Sequence, residues 1–303
     1  LAVTLERCSG CSLFVDDKIV FSSSEERYTR KKSDSLFPEN SIKHALEYCN
    51  VSPNELDNVL ICGNRLSLIP SIMREYSTFT VDDQLRSMKE YWYPKLIENK
   101  DISYVELFKD KINLDTYPFN TEWGKKFNYF SLENPYSVDD EKKVSEFFIT
   151  TLSSFLNIEK SKISHVEHDT CHASYALYGS PIREKNTLVV TADAWGDDLS
   201  ATISIFDGDK INRVKEYHHK DFQLARIYRY TTLVLRMLAN EHEYKVMGLA
   251  PYHSSKKTIE VEKILNDMQS INGLEFSFNS NIKDIFHHLD ENLKNFRFDH
   301  IAS

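Results

Sequence analysis

Asn186–Ile211 reads NTLVVTADAWGDDLSATISIFDGDKI, and its pattern decides the fold class. The short apolar run at Leu188–Val190 marks a buried strand that runs into a polar turn around Gly196-Asp197-Asp198. Ser200–Ile211 continues as a hairpin bent at Asp207-Gly208. Toward the N-terminus the same device recurs at Cys11–Ser22, where SLFV and KIVF flank Asp16-Asp17. Pro38 then precedes NSIKHALEYCNV, in which Ile42, Ala45, Leu46 and Cys49 recur at helical spacing and Asn40 or Ser41 is the expected N-cap. The polar SSSEERYTRKKSDSLFP between hairpin and helix reads as a surface loop.

Further along, VLIC at 59–62 is a short buried strand. Val138–Leu156 is an amphipathic helix marked by Phe147, Phe148, Leu152 and Phe155. ISHVEHD is a strand and loop, followed by a helix from about Cys171 to Tyr178. Tyr230–Asn240 is expected to be helical, and the remainder to Phe296 helical with short loops. Arg65–Asn134 carries no chemical motif and reads as helical excursions, with Tyr91-Trp92-Tyr93 as packing. Hairpins followed by helices, twice over, predict an α/β domain with a mixed sheet. The expected organisation is 1–64, a helical insertion at 65–134, and 135–303.

The 303 residues are 41% hydrophobic and 27% charged, as in ordinary globular proteins. No apolar run approaches the roughly 18 residues of a membrane span, so no membrane partner is expected. LAVTLERCSGCSLFV lacks a basic stretch followed by a long apolar one, so no signal peptide is expected. The net charge of -9 argues against nucleic acid as a partner, since phosphate neutralisation needs clustered Lys and Arg. Five cysteines, an odd number, read as reduced thiols in a cytoplasmic protein. Cys8 and Cys11 form a CxxC without the second pair of a zinc ribbon. The chain opens on Leu, so its true start is expected to lie upstream.

Three stretches carry chemistry. His168-Asp-Thr-Cys-His172 sets two imidazoles at i and i+4, where both can reach one metal ion; the competing reading is two histidines satisfied by ordinary hydrogen bonds. Thr191-Ala-Asp193-Ala-Trp-Gly196-Asp-Asp198 ends a strand in a turn whose backbone N–H groups, with the hydroxyls of Ser200 and Thr202, suit phosphate; a plain acidic turn is the alternative. In Glu243-Tyr-Lys245-Val-Met-Gly248-Leu-Ala-Pro251-Tyr252, Gly248 permits close backbone approach and Pro251 stops a helix. Lys245 there is a phosphate counter-charge or a solvated lysine.

Taken together, these segments resemble the N-terminal part of the O-carbamoyltransferases of the nodulation and antibiotic-tailoring type. EERYTRKK followed by LFP resembles their EERFTRxKHD…FP. EHDTCHASYALYGSP resembles HHxxHAxSAFxxSPF, TADAWGDDLSATI is similar to their strand ending in DGxGE, and EYKVMGLAPY resembles ExKVMGLAxYG. Arg65–Asn134 is unmatched.

The resemblance implies an actin/sugar-kinase/heat-shock-ATPase-like (ribonuclease H-like) fold with an incomplete second lobe. It implies carbamoyl transfer from carbamoyl phosphate, through carbamoyl-adenylate made with ATP, to a hydroxyl of a small molecule or saccharide precursor. The alternative is a non-catalytic relative that binds nucleotide or metal. His168 and His172 would hold an iron-type divalent metal, and Lys32 would be the catalytic lysine meeting phosphate or carbamoyl oxygens. Asp193, Gly196, Ser200 and Lys245 would lie around the nucleotide. The implied partners are carbamoyl phosphate and a hydroxylated acceptor, with a homodimer as the assembly to test. Two places depart from the family pattern. Its HDAS-like opening is matched by Arg7-Cys8-Ser9-Gly10, and Ser33 stands where a His usually follows the lysine. RFDHIAS at the end resembles the start of the family's next helix, so the Asp completing the metal site, a GGxxxN segment and an adenylate-forming domain are expected beyond it.

Overall fold

The computed structural model describes residues 1–5, 7–35, 37–64, 76, 78–126, 138–218, 221–252, 256–279 and 281–303, with backbone alone for 138–141 and 195. The chain forms two compact units, one of residues 1–79 and 103–172, the other of 80–102 and 173–303.

The first unit is built on a five-stranded sheet in the order β3-β2-β1-β4-β5. Its strands are β1 (Ala2–Thr4), β2 (Gly10–Val15), β3 (Lys18–Ser24), β4 (Val59–Cys62) and β5 (Ile163–Val166). β2 runs antiparallel to β1 and β3, whereas β1, β4 and β5 are mutually parallel. Asp16 and Asp17 make the expected hairpin turn with φ of 48° and 62°, the handedness that matches strand twist. The Glu39–Cys49 helix buries Ser41, Ile42 and Ala45. In the Val138–Leu156 helix, Val144, Phe148, Leu152 and Leu156 fall four residues apart and are all buried. Phe147 and Phe155 are only half-buried, and Phe155 sets its ring against Phe37 at 5.2 Å.

Two expectations for this unit are corrected. SSSEERYTRKKSDSLFP is not a plain surface loop: β3 continues to Ser24, Glu26–Thr29 is helical, and Glu25, Ser33, Asp34 and Ser35 are buried. The N-cap of the next helix is Pro38 rather than Asn40 or Ser41. The buried Glu25 carboxylate takes over the capping role, accepting the Asn40 and Ser41 N–H groups at 3.0 and 2.8 Å. An anionic oxygen suits those orphan donors at the positive end of the helix.

The second unit contains a three-stranded antiparallel sheet, β6 (Thr187–Gly196), β7 (Leu199–Phe206) and β8 (Ile211–His218). The sequence predicts a buried β6, but only one of its faces is covered. Val189 and Thr191 pack inward, with Val189 meeting Ala173, Leu177 and Phe206, while Leu188 and Val190 are 62% and 54% exposed. Alternation on a two-sided strand accounts for this, since a three-residue apolar run does not reveal which faces are covered.

The helical core of this unit joins Leu85 and Met88 to Tyr230, Leu233, Phe286, Leu289 and Leu293. The helix expected at Tyr230–Asn240 spans Ile227–Val234, because Arg236 and Asn240 adopt positive φ and end helical hydrogen bonding. The tail is not wholly helical: β9 (Gln269–Asn272) and β10 (Glu275–Phe278) pair around Gly273, whose φ is +61°. The Asn-Gly turn there is a strong local hairpin signal that outweighs helical spacing.

Of the expected excursions, the structure describes helical Val81–Arg86, Ser87–Trp92, Tyr93–Leu96, Tyr104–Phe108 and Glu122–Lys126. Residues 65–75, 77 and 127–134 lie outside the described residues. Tyr91 is fully buried with its ring 4.9 Å from that of Trp92, as a packing role requires. Among the described residues no helix is long and apolar enough to cross a membrane.

Candidate metal centre

The helix bearing the histidine pair begins at His168, three residues before the expected Cys171. β5 ends at Val166, so only Glu167 separates strand from helix. His168 sits in the first turn and His172 one turn later on the same face. Their Nε2 atoms are 2.9 Å apart and the rings are 4.6 Å apart between centroids, inclined at 70°. With no ion, this spacing is a hydrogen bond in which one ring N–H donates to the nitrogen of the other. It also fits a metal. Two nitrogens each about 2.05 Å from a cation, at right angles, stand about 2.9 Å apart. Neutral imidazoles suit iron, zinc, nickel or copper. His168 is half-buried and His172 exposed, so one ring is held by packing and the other faces solvent. His165, close in sequence, is structural instead, with its ring nitrogens bonded to the Gly63 carbonyl and the Ser145 hydroxyl, both at 2.7 Å.

In the same unit, the EERYTRKKSD segment divides into scaffold and exposed parts. Lys32 is exposed in the turn after the short helix. Lys31 instead lies over Tyr76, with Nζ 3.5 Å from the ring centroid. Asp34 is buried and accepts from Tyr76 at 2.5 Å, Tyr117 at 3.1 Å and the Thr29 hydroxyl. Glu25 and Asp34 both fall on the EERYTRKKSD segment that resembles the family motif, but nothing local shows that they are buried, and their partners lie up to 83 residues away. The two places that depart from the family pattern meet in space, since Arg7 Nη2 donates to the Ser33 Oγ at 3.3 Å.

Burial and the neighbouring Asp34 push both the Tyr76 and Tyr117 hydroxyls well above the ordinary tyrosine value. A raised folded-state value favours the protonated form, so this contribution to stability is full below about pH 10 and fades as pH rises past the unfolded value. Tyr76→Phe should therefore lower stability by about 1.5–3 kcal/mol at neutral pH and flatten the alkaline decline. Denaturant unfolding at pH 7 and pH 10.5 checks both effects. An unchanged alkaline slope would contradict a role for the buried hydroxyl.

In the second unit, Asp193, Gly196 and Ser200 share one irregular hairpin end. Ala192 pairs with Ala201 and Gly196 with Leu199, so Asp193, Ala194 and Trp195 bulge opposite Ser200. Asp197 and Asp198 turn the chain with φ of 52° and 73°. Asp193 is half-buried at the bulge. Ser200 is buried and donates to the Ala194 carbonyl at 3.5 Å, while the Thr202 hydroxyl pairs with that of Thr191 at 2.7 Å. Both hydroxyls are thus used inside the sheet. The buried Arg226 anchors the bulge, its Nε donating to the Ala194 carbonyl at 2.8 Å. No local signal in the sequence distinguishes this arginine. Lys245 stands exposed on the separate Glu243–Leu249 helix. That helix ends before Pro251 as expected. At Gly248, however, an added Cβ would meet nothing within 4 Å, so among the described residues no close backbone approach requires glycine.

The model of the family described as "Carbamoyltransferase N-terminus" matches residues 4–301. An uncharacterized protein of Synechocystis sp. is 23% identical over 82% of this chain and 33% of its own length. An uncharacterized protein of Methanocaldococcus jannaschii is 24% identical over 80% of this chain and 31% of its own. Nodulation protein NolNO of Sinorhizobium fredii is 33% identical over 31% of this chain and 13% of its own length. The chain thus spans about a third of the first two relatives. With a match that runs almost end to end, the chain belongs to the carbamoyltransferase N-terminus family.

Proposed function

We propose that this chain is the metal- and nucleotide-binding portion of an enzyme that moves a carbamoyl group from carbamoyl phosphate, through carbamoyl-adenylate, to a hydroxyl of a small molecule or saccharide precursor. The observation that carries the reading is the His168–His172 pair, set 2.9 Å apart within a chain matched to this family over residues 4–301. An actin-like, ribonuclease H-like fold is supported by the order β3-β2-β1-β4-β5 with β2 as the single antiparallel strand.

In this reading His168 and His172 hold an iron-type divalent ion, which when bound supplies Lewis-acid polarisation of the carbamoyl carbonyl. Lys32 offers a solvent-facing ammonium to phosphate or carbamoyl oxygens. Asp193, Gly196 and Lys245 serve the nucleotide, and Ser200 holds the bulge that presents Asp193. Arg7 and Ser33, bonded to each other, provide no base, so the acceptor's proton goes to a group elsewhere. That contact is also what favours the second reading, a relative that binds metal or nucleotide without turnover.

The deciding experiment is an assay of the purified chain and of its longer reading frame with iron, carbamoyl phosphate, ATP and a panel of hydroxylated acceptors. Transfer by the longer protein, and none by the 303-residue chain alone, is expected. A longer protein that binds iron yet never transfers a carbamoyl group would favour the non-catalytic reading.

A further inference from the structure

We propose that Cys62 and Cys171 form an oxidation-sensitive dithiol, a covalent modification site that closes to an intramolecular disulfide on exposure to a peroxide. Such a site is separate from carbamoyl transfer and does not depend on it. Cys62 is the last residue of β4, and its partner across the parallel ladder is Val166 at the end of β5. Cys171 lies in the helix that follows, with its Sγ 3.8 Å from the carbonyl of the same Val166. The strand pairing and the short connection therefore bring the two side chains together, although they are over a hundred residues apart in sequence. The Cys171 thiol donates to the Val166 carbonyl, and the two cysteine side chains are near enough to interact with each other. Both thiols are free and half-buried, close enough to the surface for a small oxidant to reach.

Of the other cysteines, Cys49 neighbours Cys11. Cys8 is exposed in a loop, whereas Cys11 points into the core from β2 and burial pushes its thiol up to about 11. The CxxC of the sequence is thus split between solvent and interior.

The chemistry balances without a further reagent. One of the two sulfurs, as its thiolate, attacks one oxygen of hydrogen peroxide, the O–O bond breaks, and the departing hydroxide leaves as water after taking a proton. The resulting sulfenic acid is attacked by the other sulfur, the S–O bond breaks, and a second water leaves. Two thiols lose two electrons and two protons, and the peroxide is reduced to two waters. The new bond would tie the end of β4 to the helical turn that holds His168 and His172.

The experiment treats the full 303-residue chain with a small excess of hydrogen peroxide, quenches it, denatures it and counts thiols with a chromogenic disulfide. The count should fall from five to three, and peptide mass spectrometry should show Cys62 joined to Cys171. Cys62→Ser and Cys171→Ser, with circular dichroism as the check on folding, should each form no cross-linked peptide. Five surviving thiols, or a cross-link joining Cys8 to Cys11, would overturn the proposal. So would a cross-link that persists in the serine variants.

Discussion

His168→Ala is expected to weaken divalent-metal binding by at least about 100-fold and to abolish carbamoyl transfer in the longer protein. Changing groups that merely orient a metal ligand costs 10–100-fold, so deleting a ligand should cost no less. His172→Ala should behave alike, because the two Nε2 atoms stand 2.9 Å apart and neither ring alone chelates. His165→Ala is the control: its ring is bonded to Gly63 and Ser145, so its loss should reduce stability and leave metal affinity within a few-fold. Titration with cobalt(II), followed by its visible absorption, separates these outcomes. If His168→Ala binds cobalt as tightly as the unmodified chain, the pair is only a hydrogen-bonded couple and the metal assignment fails.

Asp34→Ala should cost about 3–5 kcal/mol, more than any single substitution among its partners. The buried carboxylate receives the hydroxyls of Tyr76, Tyr117 and Thr29, and the Ser35 N–H at 2.9 Å. Its removal strands donors in a site closed to water, each worth about 1–3 kcal/mol. Tyr76 can recover part of this by turning to the Ser35 carbonyl, 2.9 Å away, which sets the upper limit. Against a typical total of about 5–15 kcal/mol, the loss is enough to loosen the segment that presents Lys32. Hydrogen exchange at residues 25–41 and denaturant midpoints test this together. A destabilisation below about 1 kcal/mol would show that the network contributes little.

Local chemistry is legible in the sequence wherever neighbours along the chain decide it. The Asp16-Asp17 turn, the Glu39–Cys49 helix, the bend at Asp207-Gly208 and the i, i+4 histidines all follow from short-range rules of turn handedness and helical periodicity. The Asn272-Gly273 hairpin belongs to this class as well, although apolar spacing around it suggests helix. Tertiary structure alone decided the rest. Glu25 caps a helix 15 residues away, Asp34 gathers tyrosines 42 and 83 residues away, and Arg226 holds a carbonyl 32 residues before it. A buried carboxylate or guanidinium is stable only beside its hydrogen-bond partners, and which partners those are depends on strand order and crossover rather than on adjacent residues. The same reason applies to Cys62 and Cys171, which only the parallel pairing of β4 with β5 brings together.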